Sequence, residues 1–149
     1  MLQKGEKAPD FHLQTTEGEI SLSQFQGKKV VLYFYPKDDT PGCTKEACGF
    51  RDVYDQILAK GAVVIGISAD SVDSHQKFKK KYNLPFYLAS DPDHSVLKTY
   101  GAWGEKKMYG KVFPGIIRST YVIDEHGTII AVFPKVSPEK HAEEILALL

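Results

Sequence analysis

Two nearly unbroken apolar runs, KVVLYFY (residues 29–35) and AVVIGISAD (62–70, ending in a turn), constrain the fold of this chain more than any other feature. A strand with one wet face alternates polar and apolar residues. These runs do not alternate, so both faces of each strand must be covered. Between them lies a segment in which Phe50, Val53, Tyr54, Ile57 and Leu58 fall on one helical face. Strand, amphipathic helix and strand in that order imply parallel strands joined by a crossover, the unit from which layered α/β sheets are built.

The flanking segments extend this pattern. FHLQ (11–14) and EISL (19–22), on either side of TTEG, suggest an N-terminal β-hairpin. SVDSHQKFKKKYN (71–83) reads as a polar helix stopped by Asn83 and Pro85, with Lys79, Lys80 and Lys81 at its solvated end. FYLAS (86–90) is a short strand, and DPDHSVLKTYG (91–101) fits a helix with Pro92 in its first turn and Gly101 past its end. STYVIDEHGTIIAVF (119–133) reads as a hairpin about a His-Gly turn. SPEKHAEEILALL (137–149) reads as a closing helix opened by Ser137, Pro138 and Glu139. The expected product is one α/β domain over residues 1–149, a central mixed β-sheet flanked by helices, with the hairpin at its N-terminus.

Charge and cysteine content narrow the function. Lys+Arg and Asp+Glu each number 19, and a net charge of zero gives no footprint for nucleic acid or an anionic membrane. There is no apolar leader and no run of membrane-spanning length, so a cytoplasmic protein with reduced thiols is expected. Two cysteines cannot close a four-cysteine zinc site. His12, His75, His94, His126 and His141 show no ligand-like spacing and are read as surface or loop residues. No metal is expected.

Both cysteines lie in PKDDTPGCTKEAC (36–48), five positions apart, which is not the CxxC spacing of redox dithiols. The segment follows the first apolar strand and opens the amphipathic helix. Thr40 suits the N-cap, Pro41 the first helical position, and Gly42 lets a ligand approach the backbone. Cys43 then falls in the first turn, where unpaired N–H groups and the helix dipole favour an anion. The thiolate is the reactive form of cysteine, and the carboxyl end of a central strand is where open α/β sheets bind ligands. Cys48 points to another helix face and reads equally well as an inert thiol or as a redox partner.

FYPKDDTPGCTKEAC resembles the active-site signature of peroxiredoxins, in particular the bacterioferritin comigratory protein (PrxQ-like) subfamily. NLPFYLASDPD (83–93), WGEKKMYGK (103–111) and GIIRSTYVID (115–124) are similar to that subfamily too, so the likeness covers essentially the whole chain. It departs at Tyr87 and Ala89, where smaller or leucine-like residues are expected. The resemblance implies a thioredoxin-like fold and a peroxidase. Cys43 would be the peroxidatic cysteine and Cys48 the resolving one. Thr40 would hydrogen-bond thiolate and peroxide, Pro36 would shield the pocket, and Arg118 would orient the peroxide. The substrate would be a hydroperoxide and the reductant thioredoxin. The protein would be a monomer, with no haem, flavin or metal.

The chemistry of peroxide reduction asks for the same residues. Charge spreads from one sulfur over two oxygens, so several donors must aim along that line. Arg118 supplies a permanently charged fork, Thr40 a hydroxyl, and Gly42 and Cys43 their backbone N–H groups. Glu46 is read first as a surface carboxylate of the helix, with a hydrogen bond to Arg118 or to the helix start as the alternative, and Trp103, Lys107 and Met108 are read as loop packing. A general thiol–disulfide oxidoreductase and a non-enzymatic redox sensor remain alternatives. A Cys43–Cys48 bond would also demand motion. Five helical residues rise ~7.5 Å and turn ~140°, setting the two Cα atoms roughly 8–9 Å apart, whereas a disulfide spans about 4.4–6.8 Å.

Arg118→Lys keeps the charge but loses the planar fork, so the second-order rate with peroxide should fall about tenfold or more. Stopped-flow oxidation kinetics check this, and an unchanged rate would remove Arg118 from the pocket.

Overall fold

Residues 29–35 divide their side chains between two cores. Val30, Leu32 and Phe34 face one apolar cluster, while Val31, Tyr33 and Tyr35 face the other. This period-two split, with both sides buried, is what the apolar run required. The computed structural model describes residues 1–149, apart from the side chain of Met108. Its strands are β1 (His12–Thr15), β2 (Gly18–Ser21), β3 (Lys29–Phe34), β4 (Ala62–Ser68), β5 (Tyr87–Ser90), β6 (Trp103–Met108), β7 (Lys111–Ile116), β8 (Ser119–Ile123) and β9 (Ile129–Phe133). Its helices are α1 (Pro41–Ala59), α2 (Val72–Tyr82), α3 (Ser95–Thr99) and α4 (His141–Leu146).

Seven strands form one mixed sheet in the order β2-β1-β5-β4-β3-β8-β9, and β6 with β7 forms a separate hairpin. The centre is parallel, with Leu32 opposite Ile65 and Ile65 opposite Tyr87. The outer strands run antiparallel: β8 sets Tyr121 against Leu32, and β1 sets Thr15 against Ala89. On one face α1 and α4 supply Cys43, Ala47, Phe50, Ile57, Ala142 and Ile145, and Phe78 of α2 joins them. On the other face Val96 and Leu97 of α3 pack with Phe11, Leu13 and Ile20 from the N-terminal hairpin. The thioredoxin-like arrangement expected from the sequence is therefore present.

Several details differ from the sequence reading, each for a physical reason. The buried stripe of α1 runs through Cys43, Ala47, Phe50, Tyr54 and Ile57, so Leu58 lies a further 100° round and is 46% exposed. The segment of Trp103, Lys107 and Met108, read as loop packing, is strand β6 of the β6–β7 hairpin, in which Trp103 stacks on His94 with ring centroids 3.9 Å apart. Lys107 lies in β6, and the side chain of Met108 is outside the described residues. The helix expected from Pro92 starts only at Ser95, because His94 takes a left-handed φ of 64° and Asp91 is turned inward to accept from the Leu97 N–H. The C-terminal helix likewise starts at His141 rather than in the first turn after Ser137, behind Lys140 at φ 60°.

Two histidines correct the expectation of surface residues. His75 is fully buried between α2 and β5, and His141 is buried beneath α4. His141 Nε2 lies 2.9 Å from Thr120 Oγ1 and Nδ1 lies 3.0 Å from Glu144 Oε1. Its ring also meets Phe50 of α1 edge-on at 5.8 Å. A buried imidazole with polar partners at both nitrogens is a stable solution to packing a polar ring. Apolar periodicity cannot reveal it.

Tyr33 imposes one further constraint. Its aromatic ring stacks with Tyr35 and Phe50 and lies across Gly66 of β4. A Cβ on Gly66 would sit 2.7–2.9 Å from the Tyr33 ring and hydroxyl, closer than real contacts allow. Gly66→Ala should therefore destabilise the fold by about 1–3 kcal/mol through overpacking. Urea denaturation at neutral pH measures this, and a neutral or stabilising result would show that Tyr33 can move aside.

Candidate active site

The loop from Pro36 to Thr40 leaves the carboxyl end of β3, and Pro41 opens α1 with Thr40 at the N-cap position. Thr40 is extended there (φ −99°, ψ 156°), but its hydroxyl does not cap the helix as expected. It donates to the Lys37 carbonyl at 2.8 Å, which leaves its lone pairs able to accept. The first helical bond runs from Thr44 N to Thr40 O at 2.8 Å, so the Gly42 and Cys43 N–H groups lie ahead of the intrahelical ladder. Pro36 and Thr40 are both half-buried at the edges of this loop.

Cys43 is 1% exposed, with its sulfur turned toward the connection between β7 and β8. Arg118 reaches in from that connection. Its Nη2 donates to Cys43 Sγ at 3.2 Å and its Nη1 donates to Glu46 Oε1 at 2.7 Å. Cys43 and Glu46 are three residues apart on one helix, so a single planar guanidinium can hold both. Gly42 makes room for this arrangement: a Cβ there would meet Arg118 Nη2 at 3.2 Å and Pro138 Cγ at 3.4 Å.

Glu46 is not the surface carboxylate first expected and follows the alternative reading, a hydrogen bond with Arg118. Its side chain is 0% exposed, and its second oxygen, Oε2, has no hydrogen-bond partner among the described residues. Burial raises its pKa to about 7 and outweighs the opposing pull of Arg118. Lys106 of β6 adds another cation near the site, one that sequence reasoning missed. Burial first, then Arg118, lowers its pKa, while Cys43 pulls it back up. Strand pairing brings it there, because Phe113 opposite Lys106 and Ile116 opposite Trp103 fold the hairpin back toward Arg118.

Cys48 lies on the same unbroken helix as Cys43 but outside the stripe that packs on the sheet, and it is half-buried. Burial raises its thiol pKa, with Arg51 opposing and Asp52 assisting. Both cysteines are free. The site thus offers a shielded sulfur, a fixed cation beside it and unpaired backbone donors around it. A cavity of about 640 Å³ between the first residues and β9 lies elsewhere and contains none of these groups. Among the described residues no helix is long and apolar enough to cross a membrane.

Residues 4–132 match the model of the AhpC/TSA family. The chain belongs to that family. A Coxiella burnetii protein carrying the name peroxiredoxin bcp is 57% identical over 99% of both chains. Peroxiredoxin Bcp of Bacillus subtilis is 47% identical, covering 99% of this chain and 95% of its own. Among solved structures, a Xylella fastidiosa PrxQ mutant superposes with a TM-score of 0.93 at 34% identity over 99% of this chain and 95% of that one. This kinship across nearly the whole chain makes the protein an oxidoreductase of the thiol peroxidase class.

The Glu46 environment predicts a pH signature. Its folded pKa of about 7 stands above the ordinary 4.5, so folding takes up a proton. The stabilisation is complete below pH 4.5 and is lost as pH rises toward 7, a change of about 3 kcal/mol. Glu46→Gln removes this titration. Across that window the variant should gain on the wild type by about that amount in denaturation experiments. A pH-independent difference would place the carboxylate in a wetter setting.

Proposed function

We propose that this protein reduces hydrogen peroxide and organic hydroperoxides at Cys43, closes a Cys43–Cys48 disulfide within one chain, and is recycled by thioredoxin. The observation that carries the reading is the single guanidinium shared by Cys43 Sγ and Glu46 at the start of α1. That guanidinium supplies a donor beside the sulfur, where the reacting oxygens must come. The Gly42 and Cys43 N–H groups and the accepting lone pairs of Thr40 stand ready to orient ROOH, and Pro36 closes the loop above them.

In the first step the Cys43 thiolate attacks one peroxide oxygen and the O–O bond breaks. The departing alkoxide or hydroxide takes a proton from solvent, leaving Cys43 as a sulfenic acid. Cys48 then attacks that sulfur, and its oxygen leaves as water once protonated. A dithiol reductant restores both thiols. The scheme draws every residue from one chain and so needs no second subunit, which supports a monomer as the working form; the cytoplasm is the compartment proposed for it.

Helix geometry sets the order of events. With both cysteines inside α1 the sulfur atoms cannot join, so the first turns after Pro41 must unwind once Cys43 is oxidised. NADPH consumption coupled to thioredoxin and its reductase tests the cycle with several peroxides. Cys48→Ser should give one fast turnover, then stall and over-oxidise Cys43, because nothing resolves the sulfenic acid. Sustained cycling in that variant would exclude Cys48 as the resolving thiol. Insulin reduction without peroxide consumption by the wild type would point to a general thiol–disulfide oxidoreductase instead.

A further inference from the structure

The loop that carries Pro36 and Thr40 is pinned at its middle residue by a buried polar cluster. Asp38 has its side chain 4% exposed and is bonded in three directions. Its Oδ1 accepts from the Tyr35 hydroxyl at 2.5 Å, and its Oδ2 accepts from Ser74 Oγ at 2.8 Å. His75 Nδ1 lies 2.7 Å from the same Oδ2. The Asp38 N–H donates to Asp70 Oδ2 at 2.8 Å, and Asp70 is held in turn by Ser68 Oγ at 2.7 Å. One residue on, Asp39 accepts from Lys81 Nζ and from the Tyr82 hydroxyl, both at 2.8 Å.

His75 is fully buried, at 0% exposure. Its Nε2 lies 3.0 Å from the Ala89 carbonyl, which can only accept, so Nε2 carries a proton. Its Nδ1 meets the Asp38 carboxylate oxygen on the other side of the ring. The ring therefore ties the catalytic loop to α2 and to β5 at once. Asp38, Asp70 and His75 also bring ligand atoms within 4.8 Å of one another. Each of those groups already has a hydrogen-bond partner inside the cluster, so the arrangement is a clamp on the backbone and not a vacant chelate.

We propose that His75, through its Nδ1–Asp38 hydrogen bond, is a positioning residue for peroxide reduction, holding the 36–40 loop in place even while α1 unwinds beyond Pro41. The inference rests on the peroxidase reading above. Asp38 is two residues from both Pro36 and Thr40, and neither the loop nor α2 belongs to the segment that must unwind. Without the clamp, motion of α1 would carry Thr40 with it, and the site would have to be rebuilt at every turnover. Displacing an orienting group by about 1 Å costs on the order of a hundredfold in rate.

Two variants separate the functions of the ring nitrogens. His75→Asn places an amide near Nδ1 and can still donate to Asp38. His75→Gln reaches toward Nε2 and the Ala89 carbonyl instead. Both variants must first show cooperative melting and wild-type circular dichroism. Quench-flow alkylation with mass spectrometry then times the oxidation of Cys43 by hydrogen peroxide in the full chain. His75→Gln should be ~10-fold or more slower than wild type, and His75→Asn should recover most of that loss. Equal rates in all three proteins, or equal losses in both variants, would overturn the proposal.

A second measurement does not depend on peroxide chemistry. NMR-detected exchange of the Asp38 amide is compared in the reduced protein and in protein oxidised to the disulfide with diamide. The clamp predicts an unchanged protection factor at Asp38, and a loss there matching that of residues 41–49 would contradict it. If wild-type Cys43 resists peroxide altogether, the peroxidase reading fails, and the amide measurement still decides whether the loop is clamped.

Discussion

One guanidinium bridging two acidic groups on successive turns of a helix is the contact on which the site depends. Arg118 touches Cys43 and Glu46 together only when residues 43–46 are helical, since only then do the two side chains share a face. The catalytic geometry and the winding of α1 are therefore a single structural state. Burial makes the state sharp. Glu46 is removed from water, Cys43 sits at the bottom of the site, and neither has room to compensate if the first turn opens. In the low-dielectric surroundings of such a site each donor is worth more than it would be in water.

The same burial stands against the second half of the proposed cycle. Cys48 is on the helix that a Cys43–Cys48 disulfide would require to come apart, and α4 packs against that helix. Ala142 Cβ would lie 3.4 Å from a Cβ on Gly49, and Phe50 meets His141. Pro138 crowds Gly42 at the other end. Unwinding thus has natural limits: Phe50, fully buried against Tyr33 and Phe86, resists on one side, and the clamped loop before Pro41 resists on the other. The stretch between them holds both thiols, which is a physical reason for placing two cysteines five residues apart.

Much of this was legible in the sequence, because period and chain order carry it. The continuous apolar runs marked β3 and β4 as central strands, and the Thr-Pro-Gly-Cys segment placed Cys43 in the first turn of α1. Arg118 stood out through its likeness to a known signature. What escaped were polar residues whose meaning comes from what folds over them. For Glu46 the sequence offered a bond to Arg118 only as the second choice behind a helical surface charge, because nothing local shows that the carboxylate is buried. His75 and His141 looked like loop or surface residues because a buried ring is satisfied by partners remote in sequence, Asp38 and Ala89 for one and Thr120 for the other. The β6–β7 hairpin escaped because its charged residues and Pro114 give weak strand propensity, and tertiary pairing overrides it.

The proposed cycle requires α1 to come apart between catalysis and recycling. Hydrogen exchange with mass-spectrometric readout over residues 41–52, in reduced protein and in protein whose Cys43–Cys48 bond has been confirmed by peptide mapping, asks this most directly. Protection should be strong across the segment in the reduced protein and largely lost over residues 41–49 in the disulfide form, returning when the disulfide is reduced. Equal protection of the two forms, with the disulfide present, would mean that the helix accommodates the bond and that the winding of α1 does not separate the two halves of the cycle.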